Sequence, residues 1–186
     1  MLATHAVFSI AFARFIAFVE TRRGAVLEDP FLHYLPRVDV SWHTFALIYT
    51  AVLVALWGAR KSPERVVLAL QTWSLMLVIR MLVMYLLPLD PPTDIIPLGD
   101  PFAELVLGQS TPAVRDLFFS GHTATLLVLA LTASGRLRPA MFALTFGVAT
   151  LVLVQRVHYT IDVIATPFFV VPIYRVLKKY WIAGAD

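Results

Sequence analysis

The sequence lacks cysteine entirely, and only 15% of its 186 residues are charged. The first absence excludes disulfide bonds and thiolate zinc sites. The second sets the chain apart from soluble domains, in which about a quarter of the residues carry charge. No basic segment precedes the first apolar run, and Arg14 interrupts that run. We therefore expect a retained membrane helix at the N-terminus and not a cleaved signal peptide.

Apolar residues dominate what is present: the chain is 59% hydrophobic and its mean hydropathy is +0.78. Such a composition indicates a protein that folds in a lipid bilayer. The net charge is +3, but the basic side chains are scattered among short loops, so we expect no nucleic-acid partner. Because the sequence also lacks internal repeats, we predict one all-α transmembrane domain over residues 1–186.

Six apolar segments have roughly the length that crosses a bilayer, which is about 17–25 residues. Charged residues, proline and glycine mark their ends. The segments are Leu2–Val19, Val40–Ala59, Val66–Leu87, Leu117–Ala133, Ala140–Val154 and Thr160–Leu177. The sequence therefore predicts a six-helix multi-pass bundle with both termini on the same side of the membrane.

The distribution of Lys and Arg predicts the orientation of this bundle. The side with the termini holds eight of these residues in its loops and tail, and the other side holds five. The positive-inside rule then places both termini in the cytoplasm. Two crossings separate His122 from His158, so both histidines are predicted on the exterior or periplasmic face, at the outer leaflet.

The loop of residues 88–116 is expected on the same face. Its prolines make it stiff and non-helical. Loops of this length are commonly functional or disordered. It is either a wall or lid over a site, or a plain surface connector.

The stretch Ser120-Gly121-His122-Thr123 lies where this loop meets an apolar helix. Ser120 is a favourable N-cap residue. The start of a helix offers backbone N–H groups and a partial positive charge, which together suit a phosphate. His122 lies in the first helical turn, where it can give a proton to an anion or take one back.

His158 and Asp162 form the second candidate element. Their spacing of four residues places them on one side of a helix, one turn apart. An unpaired carboxylate near the start of a membrane helix is costly, so we expect Asp162 to pair with His158. The carboxylate then fixes the imidazole tautomer and makes the other ring nitrogen a base or nucleophile. A purely structural pair at a helix end is the alternative.

These two motifs together resemble the sphingomyelin synthase branch of the type 2 phosphatidic acid phosphatase (PAP2) superfamily. Asp116, six residues before His122, also matches the pattern of that branch, and the run Arg80–Pro92 is similar to its motif at the end of the third helix. The resemblance implies that His122, His158 and Asp162 are catalytic. It also implies that no cofactor or metal ion is needed.

One departure from the superfamily concerns the group that binds phosphate. Phosphatase members carry an arginine six residues before the second histidine, where this chain has Val152, and their upstream Lys…Arg-Pro motif is missing. We therefore expect Arg80, which is costly inside an apolar helix, to bind the phosphate, with Arg156 as the second candidate. Arg115 is a third candidate. Pairing of Arg80 with Asp116 or Asp162 is the alternative.

The backbone around Ser120 and Gly121 is expected to help bind the phosphate. Asp116, Tyr85 and Asp90 are expected in the wall of the site. The oligomeric state is left open by the sequence.

The function predicted from the resemblance is head-group transfer between membrane lipids. A phospholipid would donate its phospho-head-group to His158, forming a phosphohistidine, and a lipid alcohol such as ceramide or diacylglycerol would accept it. Two alternatives remain. Water as the acceptor would make the protein a lipid phosphatase or a phospholipase C. A non-catalytic transporter or scaffold would also carry ionisable residues within the membrane.

Overall fold

The computed structural model describes residues 2–100 and 112–183, and this part of the chain is helical with no named strand. It contains six α-helices and one short 3₁₀ helix at Leu32–Tyr34. The α-helices are α1 (Leu2–Glu20), α2 (Ser41–Ala59), α3 (Pro63–Leu86), α4 (Gly121–Thr132), α5 (Leu137–Val154) and α6 (Thr160–Ala183). The all-α prediction is confirmed for these residues.

Most helix boundaries lie within a few residues of the prediction. Two helices differ more: the sixth continues to Ala183 and not only to Leu177, and the fourth begins at Gly121 and not at Leu117. The side chain of Ser120 accepts a hydrogen bond from the backbone N–H of Thr123, and this cap starts the helix there. α4 therefore has 12 residues, which is short for a complete crossing.

Four helices of the described chain are long and apolar enough to cross a membrane: α2, α3, α5 and α6. They are consistent with a multi-pass membrane protein. The six-span topology and the cytoplasmic termini remain predictions.

The short helix α4 lies at the centre of the bundle. It packs against α2, α3, α5 and α6, whereas α1 packs on α3. Ala124, Leu126 and Ala130 on α4 are completely buried. A helix that is apolar on all sides either lies in a protein core or spans a membrane, and α4 is buried by its neighbours. This arrangement places the start of α4, with Ser120 and His122, inside a ring of neighbouring helices.

The loops at one end of the bundle are tied together by a buried glutamine. The side chain of Gln155 accepts from the N–H of Val40 and donates to Ser41 Oγ and to the carbonyl of Pro97. The N–H of Ile96 donates to the backbone carbonyl of Gln155. We call this the histidine end, because α4 and α6 begin here with His122 and His158 near their starts. The end at which α2 and α4 finish is the opposite end.

A close backbone contact at the histidine end predicts an intolerance of Gly24 to substitution. A Cβ atom at Gly24 would lie 2.5 Å from backbone atoms of Leu89, and backbone cannot move aside as a side chain can. We expect Gly24→Ala to destabilise the protein by about 1–3 kcal/mol. Thermal unfolding in detergent measures this effect.

Gly147→Ala is the matched control, because its Cβ would meet only the end of the Leu47 side chain, at 3.1 Å. We expect a much smaller change in Tm. Equal Tm values for the two variants would contradict the proposed backbone contact.

Candidate active site

His158 and Asp162 are paired, as their spacing predicts. His158 Nδ1 lies 3.2 Å from Asp162 Oδ2, and both side chains are buried. The same carboxylate oxygen accepts the backbone N–H of Tyr159 at 2.9 Å. An ionised carboxylate can only accept hydrogen bonds, so against an ionised Asp162 the ring proton belongs on Nδ1 and the lone pair of Nε2 is left free.

The Asp162 backbone joins the two histidine motifs directly. Its carbonyl accepts the N–H of Ser120 at 3.1 Å and the hydroxyl of Thr166 at 2.8 Å. The residue that orients His158 therefore also contacts the N-cap of α4. Its second carboxylate oxygen, Oδ1, is buried and has no hydrogen-bond partner among the residues that the structure describes.

His122 lies beside His158. The ring centroids are 6.3 Å apart, with the planes inclined at 67°. The edge of Phe45 packs against His122 with centroids 6.1 Å apart. The two imidazoles are thus close enough for a single phosphoryl group to contact both.

Arg80 is buried beneath the start of α4. Its NH2 group lies 2.6 Å from Asp116 Oδ1, and its Nε donates to the carbonyl of Phe119 at 2.8 Å. The pairing of Arg80 with Asp116, considered from the sequence, is therefore present. A Cβ at Gly121 would lie 2.7 Å from Arg80 NH1, so glycine is needed for the guanidinium to approach the helix start this closely.

A cavity of about 190 Å³ brings several of the candidates together. Arg80, Asp116, Gly121 and His122 supply much of its polar wall. The remaining wall is mostly apolar and includes Phe12, Ile48, Trp73, Met76, Leu77 and Leu126. His158 lies beyond His122 and is not itself in the lining. An anion in this cavity would meet a cation, an imidazole and the start of a helix.

Among the predicted site residues, Arg156 and Tyr85 do not line this cavity and make other contacts. Arg156, expected to bind phosphate, instead pairs with Asp94 at 2.6 Å and donates to the carbonyl of Leu35. Tyr85, expected in the wall, is 55% exposed, with its ring under the guanidinium of Arg22. Both placements have the same cause: nearness in sequence to a motif does not determine which way a side chain points.

Asp90 and Ser120 support the site without lining the cavity. Asp90 pairs with Arg115 at 2.6 Å, and the hydrogen bond from Arg115 holds the pKa of Asp90 below its usual value. Arg115, the third candidate for binding the phosphate, therefore forms a salt bridge with Asp90. Ser120 is buried and acts as the N-cap of α4.

Tyr159 anchors His158 to two loops. Its hydroxyl donates to the carbonyl of Asp90 at 2.9 Å and accepts the N–H of Leu27 at 3.2 Å. Burial raises the pKa of Tyr159, so the hydroxyl stays protonated at neutral pH and remains a donor. The position of His158 therefore depends on contacts remote in sequence.

Asp29 caps the start of α6 and was not identified from the sequence. Its carboxylate accepts the backbone N–H of Thr160 at 2.5 Å and the Thr160 hydroxyl at 3.1 Å. Residues 28–30 carry no motif, and the cap lies more than a hundred residues from the helix that it stabilises. A local search for capping residues would not find it.

Two further predictions concern the long loop and metal ions. Residues 88–100 of the loop lie across the histidine end, and residues 101–111 are outside the described residues. Within residues 2–100 and 112–183, no group of three or more His, Cys, Asp or Glu side chains is arranged to hold a metal ion. Independence from a metal remains a prediction.

Comparison with known families gives one match. Residues 115–180, about a third of the chain, match the family described as PAP2 superfamily C-terminal, which supports membership of the PAP2 superfamily. His122, His158 and Asp162 all lie within this match, and Arg80 lies outside it. No curated protein matches the chain significantly.

The Asp29 cap generates a prediction about stability. Asp29→Ala removes the acceptor at the start of α6, and we expect a loss of about 0.5–2 kcal/mol. Asp29→Asn keeps an oxygen acceptor and should retain most of the stability. Thermal unfolding of both variants measures the difference, and an equal loss in both would show that the cap is not what stabilises α6.

Proposed function

We propose that this protein is an integral membrane phosphotransferase that moves a phospho-head-group from a glycerophospholipid to a lipid alcohol. One observation carries the proposal: the buried His158–Asp162 pair lies beside His122, and Arg80 borders the adjoining cavity. The match to the PAP2 superfamily supports phosphoester chemistry of the phosphatase type.

In the first step, His158 is the nucleophile. Its Nε2 lone pair attacks the phosphorus atom, and the P–O bond to diacylglycerol breaks. His122, in its protonated form, gives its proton to the leaving oxygen. The products are free diacylglycerol and a head-group phosphate bound covalently to His158.

In the second step, the roles of His122 reverse. Now neutral, it takes the proton of an acceptor hydroxyl while the acceptor oxygen attacks phosphorus. The N–P bond breaks, and its electron pair returns to His158 Nε2. Each cycle therefore restores both histidines and exchanges one P–O bond for another.

Asp162 supports both steps through the imidazole ring. During attack, positive charge develops on His158, and the carboxylate 3.2 Å from Nδ1 stabilises that charge. The backbone N–H of Tyr159 holds the carboxylate in place. Asp162 thus orients His158 and makes its other nitrogen more nucleophilic.

Arg80 and the start of α4 stabilise the phosphoryl oxygens. Arg80 reaches the cavity next to Gly121, where the first-turn N–H groups of a helix have no partner within the helix. Asp116 holds the guanidinium in position. Although Arg80 pairs with Asp116, it is the one of the three candidate arginines that lines the cavity, and its guanidinium has further N–H donors. We therefore assign Arg80 as the cation that contacts the transferred group.

The apolar wall of the cavity favours a lipid alcohol over water as acceptor. Phe12, Ile48 and Trp73 lie on three different helices and present apolar surface to the same space as His122. Ceramide or diacylglycerol would bury its chains there, at the outer leaflet of the membrane. Hydrolysis by water, as in a lipid phosphatase or phospholipase C, is the competing outcome.

The roles of the three catalytic candidates predict how their variants behave. His158→Ala removes the nucleophile and Asp162→Asn disturbs its tautomer, so we expect losses of about 10³-fold or more in turnover. His122→Ala removes the acid and base and should cost about 10²–10⁴-fold. Release of labelled diacylglycerol from phospholipid by the purified protein measures these losses.

His33→Ala is the matched control, because His33 is an exposed histidine in the short 3₁₀ helix near the same end. It should keep full activity. Turnover retained by a folded His158→Ala variant would contradict the proposed mechanism.

The acceptor can be identified from the products. We expect labelled head group from phosphatidylcholine or phosphatidylethanolamine to appear on added ceramide or diacylglycerol, at the expense of water-soluble product. Thin-layer analysis of lipid and aqueous phases with several donors and acceptors measures the partition. Label found only in the aqueous phase, whatever acceptor is added, would identify a hydrolase.

A further inference from the structure

A second and larger cavity lies in the half of the bundle away from the histidines. Its volume is about 370 Å³, and its wall is formed by α2, α3, α4 and α5 together with residues that follow α4. We call it the lower chamber. Its lining is mostly apolar, and small side chains such as Ala55, Ala69 and Ala133 leave the space between the helices. The mechanism above makes no use of this chamber.

The lower chamber is elongated along α3. Its lining on that helix runs from Arg65 to Trp73, a rise of about 12 Å. Trp73 and Thr125 border both this chamber and the cavity beside His122, and Trp73 Nε1 donates to Thr125 Oγ1 at 3.1 Å. One hydrogen-bonded pair therefore stands between the two spaces. A narrow apolar slot of this length suits a hydrocarbon chain.

The chamber has a cation at its mouth. Arg65 lines it at the opposite end of the bundle and donates to the hydroxyl of Ser134, which also lines it. Among the residues that the structure describes, no carboxylate forms a salt bridge with Arg65. Further basic side chains lie at this end: Lys61 and Arg136 in its two loops, and Arg138 in the first turn of α5. An arginine paired only with a neutral hydroxyl can take a phosphate as a charge-assisted partner.

We propose that the lower chamber is a binding site for an anionic phospholipid of the leaflet at the opposite end. One acyl chain fills the slot between α2, α3, α4 and α5, and the phosphate pairs with Arg65. The part of the chain nearest the glycerol runs along α3 as far as the Trp73–Thr125 pair. The site is distinct from the catalytic cavity and does not depend on the proposed reaction.

Native mass spectrometry of the full chain, released from detergent with added dioleoyl phosphatidylglycerol, tests the proposal. We expect one tightly retained phosphatidylglycerol and clearly weaker retention of dioleoyl phosphatidylcholine, which has the same chains but no net charge. Arg65→Gln removes the charge, and Ala69→Leu fills the slot. Each should lower the retained lipid by about ten-fold, since a charge-assisted contact or several buried methylenes are lost.

Two matched controls lie outside the chamber. Arg60→Gln removes an exposed cation of the neighbouring loop, whose guanidinium lies over Trp57 at 3.9 Å. Ala46→Leu adds the same bulk at an exposed position of α2. Neither should change lipid retention. Equal losses in Arg60→Gln and Arg65→Gln, or retention unchanged in both chamber variants, would overturn the proposal.

A second measurement, photocrosslinking, uses the wild-type protein and so does not depend on the folding of a variant. Phosphatidylglycerol with a photoreactive group midway along one acyl chain is crosslinked to the wild-type protein. We expect the label on residues 69–70 or 128–129, which line the lower chamber and not the catalytic cavity. Labelling confined to the outer surface, or to peptides near Phe12 and Ile48 in the catalytic cavity, would refute the site.

Discussion

The burial of one carboxylate, that of Asp162, governs the arrangement of the histidine end. A buried charge is tolerated only when partners compensate for the lost water. Here His158 Nδ1 and the N–H of Tyr159 contact the same carboxylate oxygen of Asp162. The backbone carbonyl of Asp162 accepts the N–H of Ser120. The hydrogen bond between Asp162 and Ser120 joins the start of α6 to the start of α4. The proximity of His122 and His158 follows from this contact.

The surrounding loops make the contact rigid. Asp29 caps α6, Tyr159 spans two loops, and Gln155 joins three segments through its amide. Each is a polar contact between segments distant in sequence. Together they tie the segment around His158 to the neighbouring loops, and the proposed phosphoryl transfer depends on such positioning because geometry and electrostatics supply most of its catalysis. The loops therefore serve as the frame of the site.

The central helix α4 separates two environments within one bundle. Near its start lies the cavity with Arg80, Asp116 and His122; along its second half runs the apolar lower chamber. Trp73 and Thr125 border both spaces. α4 can border two such cavities because it packs on four neighbouring helices and none of its residues is classed as exposed. This division would let the proposed reaction and the proposed lipid site operate independently.

Local patterns in the sequence determined the helices, the Ser120 cap and the His158–Asp162 pair, because each depends on spacing within one helix or turn. They also identified Arg80 as exceptional, since a charge inside an apolar run is costly wherever it lies. Only the tertiary structure decided which acid pairs with Arg80, that Arg156 and Tyr85 do not line the cavity, and that Asp29 caps α6. Those outcomes depend on how loops cross at the end of the bundle, and the direction of a side chain on a loop is set by contacts with distant segments and not by its sequence neighbours.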